Sequence, residues 1–351
     1  MNANFDLLVS GCNTRCAHCY VNGGPGGLMR TEDALFCIDW LDELASLLPF
    51  EASFTLDNEP MNHPDIALIV KKAASVGHIE YFHHGMTSGI ALMRRPDREE
   101  VLRTYLECGF REFGITVHGN AAHHDGIVRR EGAYRLACEA AALAKNVGAE
   151  VSVSLMFNRF FAEDADDIDG LTERLAPSYV WFAIPNYTPH VNMPGYEGYR
   201  GTEADLEALS PMLEKWGVNA EALLKEARTV ARLREELIAV LDPAELFARP
   251  QEELYLSIRQ NGDLYVGNTG AETELLGNIR ALDPAAAAGR IARLPGNRDF
   301  GAFYEADRIP GRETLVSAAE RLPGELLYSD LPSALYRVLA ELGIPTRIIK
   351  P

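Results

Sequence analysis

The sequence predicts an α/β fold built on a largely parallel sheet. From residue 5 to about residue 187, short apolar runs alternate with longer amphipathic segments, and polar or glycine-rich stretches follow the apolar runs. A third observation gives the fold a centre: Cys12, Cys16 and Cys19 stand in C-x3-C-x2-C spacing directly after the first apolar run.

The elements are expected in the following order. Strand-like runs occupy 5–9, 52–56, 79–82, 112–117, 151–157 and 179–184. Between them, helical periodicity covers about 31–48, 64–76, 98–108, 127–148 and 163–175, with Thr31 and Asp33 suited to capping the first helix. Strands separated by helices imply right-handed crossovers and parallel pairing. Sequence does not fix strand order, so a barrel and an open doubly wound sheet both remain. Either places its site beyond the C-terminal strand ends. A Glu-, Leu- and Ala-rich helical stretch follows at 202–248, punctuated by Pro211 and Pro243. Runs at 254–258 and 264–266 around Asn261-Gly262 predict a β-hairpin. Helices at 284–293 and 331–342 complete the chain. The division expected is a barrel-like unit over 1–200, a helical linker over 201–250 and a small α+β extension over 251–351.

A chain of 351 residues with 47% apolar and 24% charged content can bury a large core. Its 33 Lys and Arg against 51 Asp and Glu, a net charge of −18, argue against a phosphate-tracking surface and hence against nucleic acid. No secretory signal is visible, and no apolar run approaches the roughly 20 residues of a membrane span. The expected location is the cytoplasm. Six cysteines in this length form no disulfide framework, and in a reducing compartment a clustered three favours metal. Cys37, Cys108 and Cys138 stand alone in helix-like segments and read as small buried hydrophobes.

Three thiolates within eight residues can surround one metal centre, whereas Cys₄ ligation is usual for iron–sulfur clusters and structural zinc takes four protein ligands. The missing ligand leaves a coordination position for a substrate or cofactor. Other polar groups fall on the same rim: Asp57-Asn58-Glu59-Pro60 after the second strand, His83 to Gly89 after the third, His118-Gly119-Asn120 after the fourth, Asn158 after the fifth and Pro185-Asn186-Tyr187 after the sixth. Histidines at 83, 84, 118, 123 and 124 crowd these ends, with no helical H-x3-H pattern to make a second metal site. His118 is the candidate for substrate contact or acid–base support; Tyr187 and His190 are further candidates. An acidic rim suits a cationic substrate and is equally what a solvated face looks like.

The cysteine spacing, on the first strand-to-helix loop of a six-fold βα pattern, resembles the radical S-adenosylmethionine (SAM) family, over roughly residues 4 to 190. The resemblance implies a partial (βα)6 TIM-like barrel, one [4Fe–4S] cluster on Cys12, Cys16 and Cys19, and SAM in the open iron position. His18, preceding the third cysteine, would pack on the adenine side with Tyr20 beside it. Asp57-Asn58-Glu59-Pro60 stands where the family often has Gly-Gly-Glu-Pro to hold the SAM amino group; both glycines are replaced. Thr116-Val117-His118-Gly119, followed by Asp125 and, from His124, a run to Arg129, resembles a pair of segments in peptide-modifying members. It makes Thr116 and Arg129 candidates for the SAM carboxylate, and Ser154 and Asn158 candidates for the ribose. Residues 258–265 and Leu276-Gly277-Asn278-Ile279 resemble a SPASM/twitch-type extension. Gly267 sits where its first cluster cysteine would be, and no cysteine follows Cys138.

What the resemblance implies is reductive cleavage of SAM to a 5′-deoxyadenosyl radical that abstracts hydrogen from a peptide or small natural-product intermediate. A flavodoxin- or ferredoxin-type protein would donate the electron. Without a second cluster, redox-neutral outcomes are favoured: epimerisation, rearrangement or elimination. No separate leader-binding domain is seen before the first strand, so peptide and small metabolite stand level. The rival expectation is a non-catalytic iron–sulfur or zinc sensor.

Overall fold

The computed structural model describes residues 1–21, 23–82, 85–189, 193–239, 252–296, 304 and 308–349. The first strand, β1 (Asn2–Leu7), alternates in burial: Ala3, Phe5 and Leu7 turn toward the helices, while Asn4 and Asp6 turn the other way. It pairs in parallel with β2 (Ala52–Leu56), in register Phe5↔Phe54 and Asp6↔Thr55. Helix α1 (Thr31–Leu47) makes the crossover and buries Ala34, Cys37, Ile38, Leu41 and Leu44.

Its start differs from the expected cap. The Thr31 hydroxyl donates to Asp65 at 2.5 Å, and Asp33 accepts from Arg30 at 2.7 Å and pairs with Arg280, so no side chain caps the helix. Both residues are drawn off by tertiary partners.

The third expected strand, 79–82, is shortened, and a further short strand that was not expected follows it. Glu80–Tyr81 (β3) pairs with β2, whereas Met86–Thr87 (β4) pairs with β5 (Glu112–Val117). Positions 83 and 84, and with them both rim histidines, lie outside the described residues. From β5 the sheet continues through β6 (Glu150–Met156) to β7 (Tyr179–Ala183), all parallel.

The helix expected over 127–148 is two. Ala121–Val128 is capped by Asn120, whose side chain accepts from the Ala122 and His123 amides. Ala133–Asn146 follows once Arg129 (φ 58°) and Gly132 (φ 75°) have turned the chain through left-handed conformations. The Asp125 carboxylate accepts from Gly132 N at 2.6 Å and Tyr134 N at 2.8 Å, fixing that turn.

The Asn261-Gly262 hairpin forms between β9 (Glu253–Ile258) and β10 (Asp263–Val266), with Gly262 at φ 84°, and β11 (Glu274–Asn278) extends it. It does not stand apart. β9 pairs in parallel with β1, from Asn2↔Glu253 to Leu7↔Ile258, and the sheet order is β11-β10-β9-β1-β2-β3. Side chains of β1, β2, β5, β6, β7 and β9 line one shared cavity of about 830 Å³. That settles the choice left by the sequence: the strands wrap a lumen as a partial (βα)6 barrel, whereas a doubly wound sheet would have helices on both faces.

The 202–248 stretch is helical at Glu203–Ala208, Ser210–Lys215, Ala220–Glu226 and Val230–Ala239, and Pro243 lies outside the described residues. Among the described residues no helix is long and apolar enough to cross a membrane. A second apolar cluster packs the helices Val230–Ala239, Arg312–Ala319 and Leu331–Glu341 against Tyr187 and Tyr196. The fully buried Arg200 guanidinium locks it to the barrel, donating to the carbonyls of Pro185 (2.7 Å), Leu327 (3.1 Å) and Asn186 (3.1 Å).

Candidate active site

The chain leaves β1 into a loop held by backbone at both ends. Cys12 N donates to Gly24 O (2.8 Å), and Ala17 N donates to Ile127 O (2.8 Å). Two glycine segments cross here. A Cβ on Gly11 would lie 2.6 Å from Gly26 Cα and 2.8 Å from Gly24 O, so only glycine lets the strands of the loop touch. Within the loop Thr14 Oγ1 lies 3.1 Å from Cys12 Sγ and accepts from the Cys16 thiol at 3.3 Å, while Gly23 N donates to Cys19 Sγ at 2.9 Å.

All three thiols line one cavity of about 160 Å³. Asp57, Asn58, Glu59, Thr87, Ser88, Thr116 and His118 share its wall, and among the described residues no lysine or arginine does. Burial raises all three thiols: Cys19 is pushed up to about 12, with Gly23's amide pulling the other way, and Cys12 and Cys16 are also raised. Buried sulfurs of this kind ionise when a cation compensates them, and metal ligation deprotonates a thiol outright. The donor set and the missing counter-charge therefore fit a metal cluster held by Cys12, Cys16 and Cys19.

Glu59, 2% exposed, is braced rather than ion-paired. Its Oε1 accepts from the Thr87 hydroxyl (2.7 Å), and its Oε2 accepts from Ser88 N (2.9 Å) and the Ser88 hydroxyl (2.6 Å). Burial raises its carboxyl, and these bonds lower it in part. Ser10 Oγ donates to Glu59 O at 2.7 Å, and Pro60 opens the buried 3₁₀ turn Pro60–Asn62 behind it. Asn58 sits at φ 64°, the left-handed region that glycine favours and asparagine tolerates, so its replacement of a glycine preserves the backbone path. Asp57 Oδ2 and Asn58 Oδ1 are both buried with no hydrogen-bond partner.

Three imidazoles close the other wall. His118 packs on His18 (centroids 4.3 Å apart) and on His124 (5.3 Å), and the Nδ1 atoms of all three are buried and unpartnered. Burial keeps them neutral: it lowers His18 to about 3 and His124 to about 4, and holds His118 well below its ordinary value, with the neighbouring imidazoles acting the same way on His18 and His118. His123, next in sequence to His124, points elsewhere. Its Nδ1 lies 2.7 Å from Asp164, and its ring stacks on Phe160.

His18, Tyr20, Asp57, Met86 and Thr116 line both this cavity and the barrel lumen, where Ser154 also sits. The structure thus gathers Cys12, Cys16, Cys19, His18, Tyr20, Asp57, Asn58, Glu59, Thr116, His118 and Ser154 around two adjoining spaces.

Four expected residues are not in that company, and the first, Pro60, is buried behind Glu59 and lines neither cavity. Asn158 is fully buried, but its amide donates to the carbonyls of His118 (2.8 Å) and Met156 (3.3 Å) and accepts from Phe160 N (3.0 Å), which makes it a backbone tie between strand ends. Arg129 is exposed at the left-handed end of its helix, with its guanidinium against Gly195, and it lines neither cavity. Its neighbour Arg130 instead donates to Asn13 O at 2.8 Å, bracing the cysteine loop. Tyr187 is 3% exposed in the second apolar cluster, edge-on to Tyr328, because the segment after β7 runs under the C-terminal helices. His190 lies outside the described residues. Thr14, Thr87 and Ser88 were not singled out by the sequence, although Thr87 and Ser88 belong to the polar run after the third strand; His124 was named only as one of the histidines crowding the strand ends.

Residues 7–171 match the family model described as the radical SAM superfamily. No curated protein sequence matches the chain. Among solved structures, anSMEcpe with bound AdoMet and Cp18Cys peptide superposes with a TM-score of 0.53 at 12% identity, covering 98% of this chain and 97% of that one. Streptococcus suis SuiB bound to precursor peptide SuiA gives 0.52 at 12% identity over 95% and 75%. The AdoMet-bound anSMEcpe without peptide gives 0.51 at 13% identity over 80% and 78%. At such identities the likeness is one of fold.

Proposed function

We propose that this chain is an enzyme of the radical SAM superfamily, with a [4Fe–4S] cluster and SAM as its cofactors, and that it modifies a C–H position of a peptide without net oxidation; the match of residues 7–171 to that family's model supports the first half. The observation that carries the reading is the junction of the two cavities: the thiol-lined one opens through His18, Tyr20, Asp57, Met86 and Thr116 onto a lumen of about 830 Å³, within the range of small-molecule sites and sufficient for a side chain with its flanking backbone.

When bound, the cluster and SAM supply one-electron cleavage of SAM and a radical able to abstract hydrogen. The chain's own residues hold, orient and shield. Cys12, Cys16 and Cys19 ligate the cluster, with Thr14 and the Gly23 amide fixing two of the sulfurs. Glu59, held by Thr87 and Ser88, together with the side-chain oxygens of Asp57 and Asn58 that have no partner among the described residues, would receive the SAM amino group. Thr116 stands on the border between cofactor and substrate, and Ser154 faces the substrate side. The three neutral imidazoles give the thiol cavity an uncharged wall. The structures of anSMEcpe and SuiB with peptides bound support the peptide half of the reading. The absence of cysteine beyond Cys138 supports a reaction that returns no electron through a second cluster. An external flavodoxin- or ferredoxin-type donor completes the proposal, with residues 251–351 as a SPASM/twitch-like extension.

Anaerobic reconstitution with iron and sulfide, followed by dithionite and SAM, tests it. The expected result is 5′-deoxyadenosine well above a Cys16→Ala control. One equivalent of zinc with no sulfide-dependent absorbance would replace the reading with a zinc-binding one.

A further inference from the structure

An α-amino acid group bound in the thiol cavity brings two charges, and the wall answers only one of them with charge. Asp57, Asn58 and Glu59 offer oxygens to the ammonium. The usual partner of a carboxylate is a guanidinium or ammonium, yet among the described residues no lysine or arginine lines this cavity. Arg129, which the sequence suggested for the task, sits at a left-handed turn with its guanidinium against Gly195 and lines neither cavity.

What the wall holds in place of a cation is imidazole. His118, 1% exposed, and His124, 3% exposed, both line the cavity, and each has a buried Nδ1 without a hydrogen-bond partner among the described residues. Their ring centroids are 5.3 Å apart, so both rings can reach one small group. Regular structure holds them on either side of a short turn: His118 follows β5, its carbonyl tied by the Asn158 amide at 2.8 Å, and His124 lies in the helix Ala121–Val128 that Asn120 caps. Buried polar atoms in a folded chain are nearly always paired, so two adjacent orphans on one cavity call for a ligand or ordered water. Burial keeps both rings uncharged, and a neutral imidazole still has one N–H to donate.

We infer that His118 and His124 donate from Nδ1 to the carboxylate of bound SAM, in the place a guanidinium would otherwise take. This rests on the radical SAM reading above and assigns one end of its cofactor to residues of this chain.

The test is binding without reduction. SAM and decarboxylated SAM, in which hydrogen replaces the carboxylate, are titrated by calorimetry into the reconstituted, unreduced enzyme. Wild type is expected to bind SAM about tenfold tighter, the scale of a charge-assisted hydrogen bond. His118→Phe, which keeps the ring packing, is expected to lower that margin to about threefold or less while leaving the affinity for decarboxylated SAM in place. His118→Asn, whose amide can donate where Nδ1 did, is expected to restore part of the margin, and Arg129→Gln to keep all of it. If His118→Phe does not fold, His124→Phe is expected to lower the margin in the same way. Equal binding of the two ligands to wild type overturns the inference, and so does a margin that survives both phenylalanine variants or collapses in Arg129→Gln. Failure of both ligands to bind a chain that has taken up iron and sulfide would bring down the SAM reading, and the inference with it.

Discussion

Glu59 offers a sharp test of how the site is held, because both its oxygens are hydrogen-bonded and no cation among the described residues pairs with it. Replacing it with alanine strands three donors, the Thr87 hydroxyl and the Ser88 amide and hydroxyl. The hydroxyls can re-aim but the amide cannot, and each buried donor left unmade costs about 1–3 kcal/mol. Glu59→Ala is therefore expected to cost about 3–5 kcal/mol. Glutamine can keep its oxygen on Ser88 and turn its amide to Thr87 Oγ1, which already accepts from Gly89 N at 3.0 Å. It loses the charge assistance of the bonds, about 1 kcal/mol each, and regains part of that by removing a desolvated charge. Glu59→Gln is thus expected to cost about 1–2 kcal/mol.

The assay is urea unfolding of the reduced, metal-free protein, whose slope scales with exposed surface and stays constant if only stability changes. pH gives a second axis. Burial holds the Glu59 carboxyl above its unfolded value of about 4.3, so in that window the folded chain binds more protons than the unfolded one and stability falls as pH rises. The wild type's advantage over Glu59→Gln should be largest below about pH 4.3, shrink as pH climbs through the folded value, and then stay flat. An alanine variant within about 1 kcal/mol of wild type would refute the brace. An advantage that grew with pH would refute the sign.

Other substitutions probe separate links. Gly11→Ala drives a Cβ into the Gly26 backbone, and about 2–3 kcal/mol of overpacking strain should appear together with less iron bound per chain on reconstitution. Arg200→Leu removes donors from three buried carbonyls and one of the partners of Glu197, which keeps Tyr328 and Arg337, so a loss of about 3–5 kcal/mol is expected in urea unfolding. His118→Phe keeps the ring packing and deletes an unpartnered Nδ1, so metal-free stability should stay within about 1 kcal/mol; a loss above about 2 kcal/mol would reveal a partner for that nitrogen.

What the sequence revealed about the site was mostly local. Three cysteines inside one loop and Glu59-Pro60 after a strand need only spacing to be seen, and the alternation of β1 shows which residues face the helices. What it concealed depends on the third dimension. Asn158 and Ser154 are both polar and near a strand end; only the fold shows that one spends its side chain on backbone carbonyls and the other faces the lumen. Arg129 follows a plausible helical run, yet its left-handed φ turns the side chain away from the cavity. Histidines 123 and 124 are neighbours in sequence, and one helical step sends the first to Asp164 and the second into the site. The hairpin turn was legible from Asn261-Gly262, but the parallel pairing of β9 with β1 joins segments some 250 residues apart and leaves no local trace.

That pairing also brings residues from beyond the first 200 into the barrel lumen. Every residue lining the thiol cavity lies between 12 and 133, inside the 7–171 segment that matches the family model. The lumen is built differently: Leu223, Glu226, Glu253, Tyr255, Asn268 and Ser329 come from beyond it. The thiol-lined cavity is thus built inside the segment that matches the family model, while a large part of the lumen wall comes from outside it. Two of the four lumen carboxylates, Glu226 and Glu253, belong to that second group. Substitutions there should change which substrate is accepted before they change whether a cluster is held, and substitutions at Thr14, Gly23 or Glu59 should do the reverse.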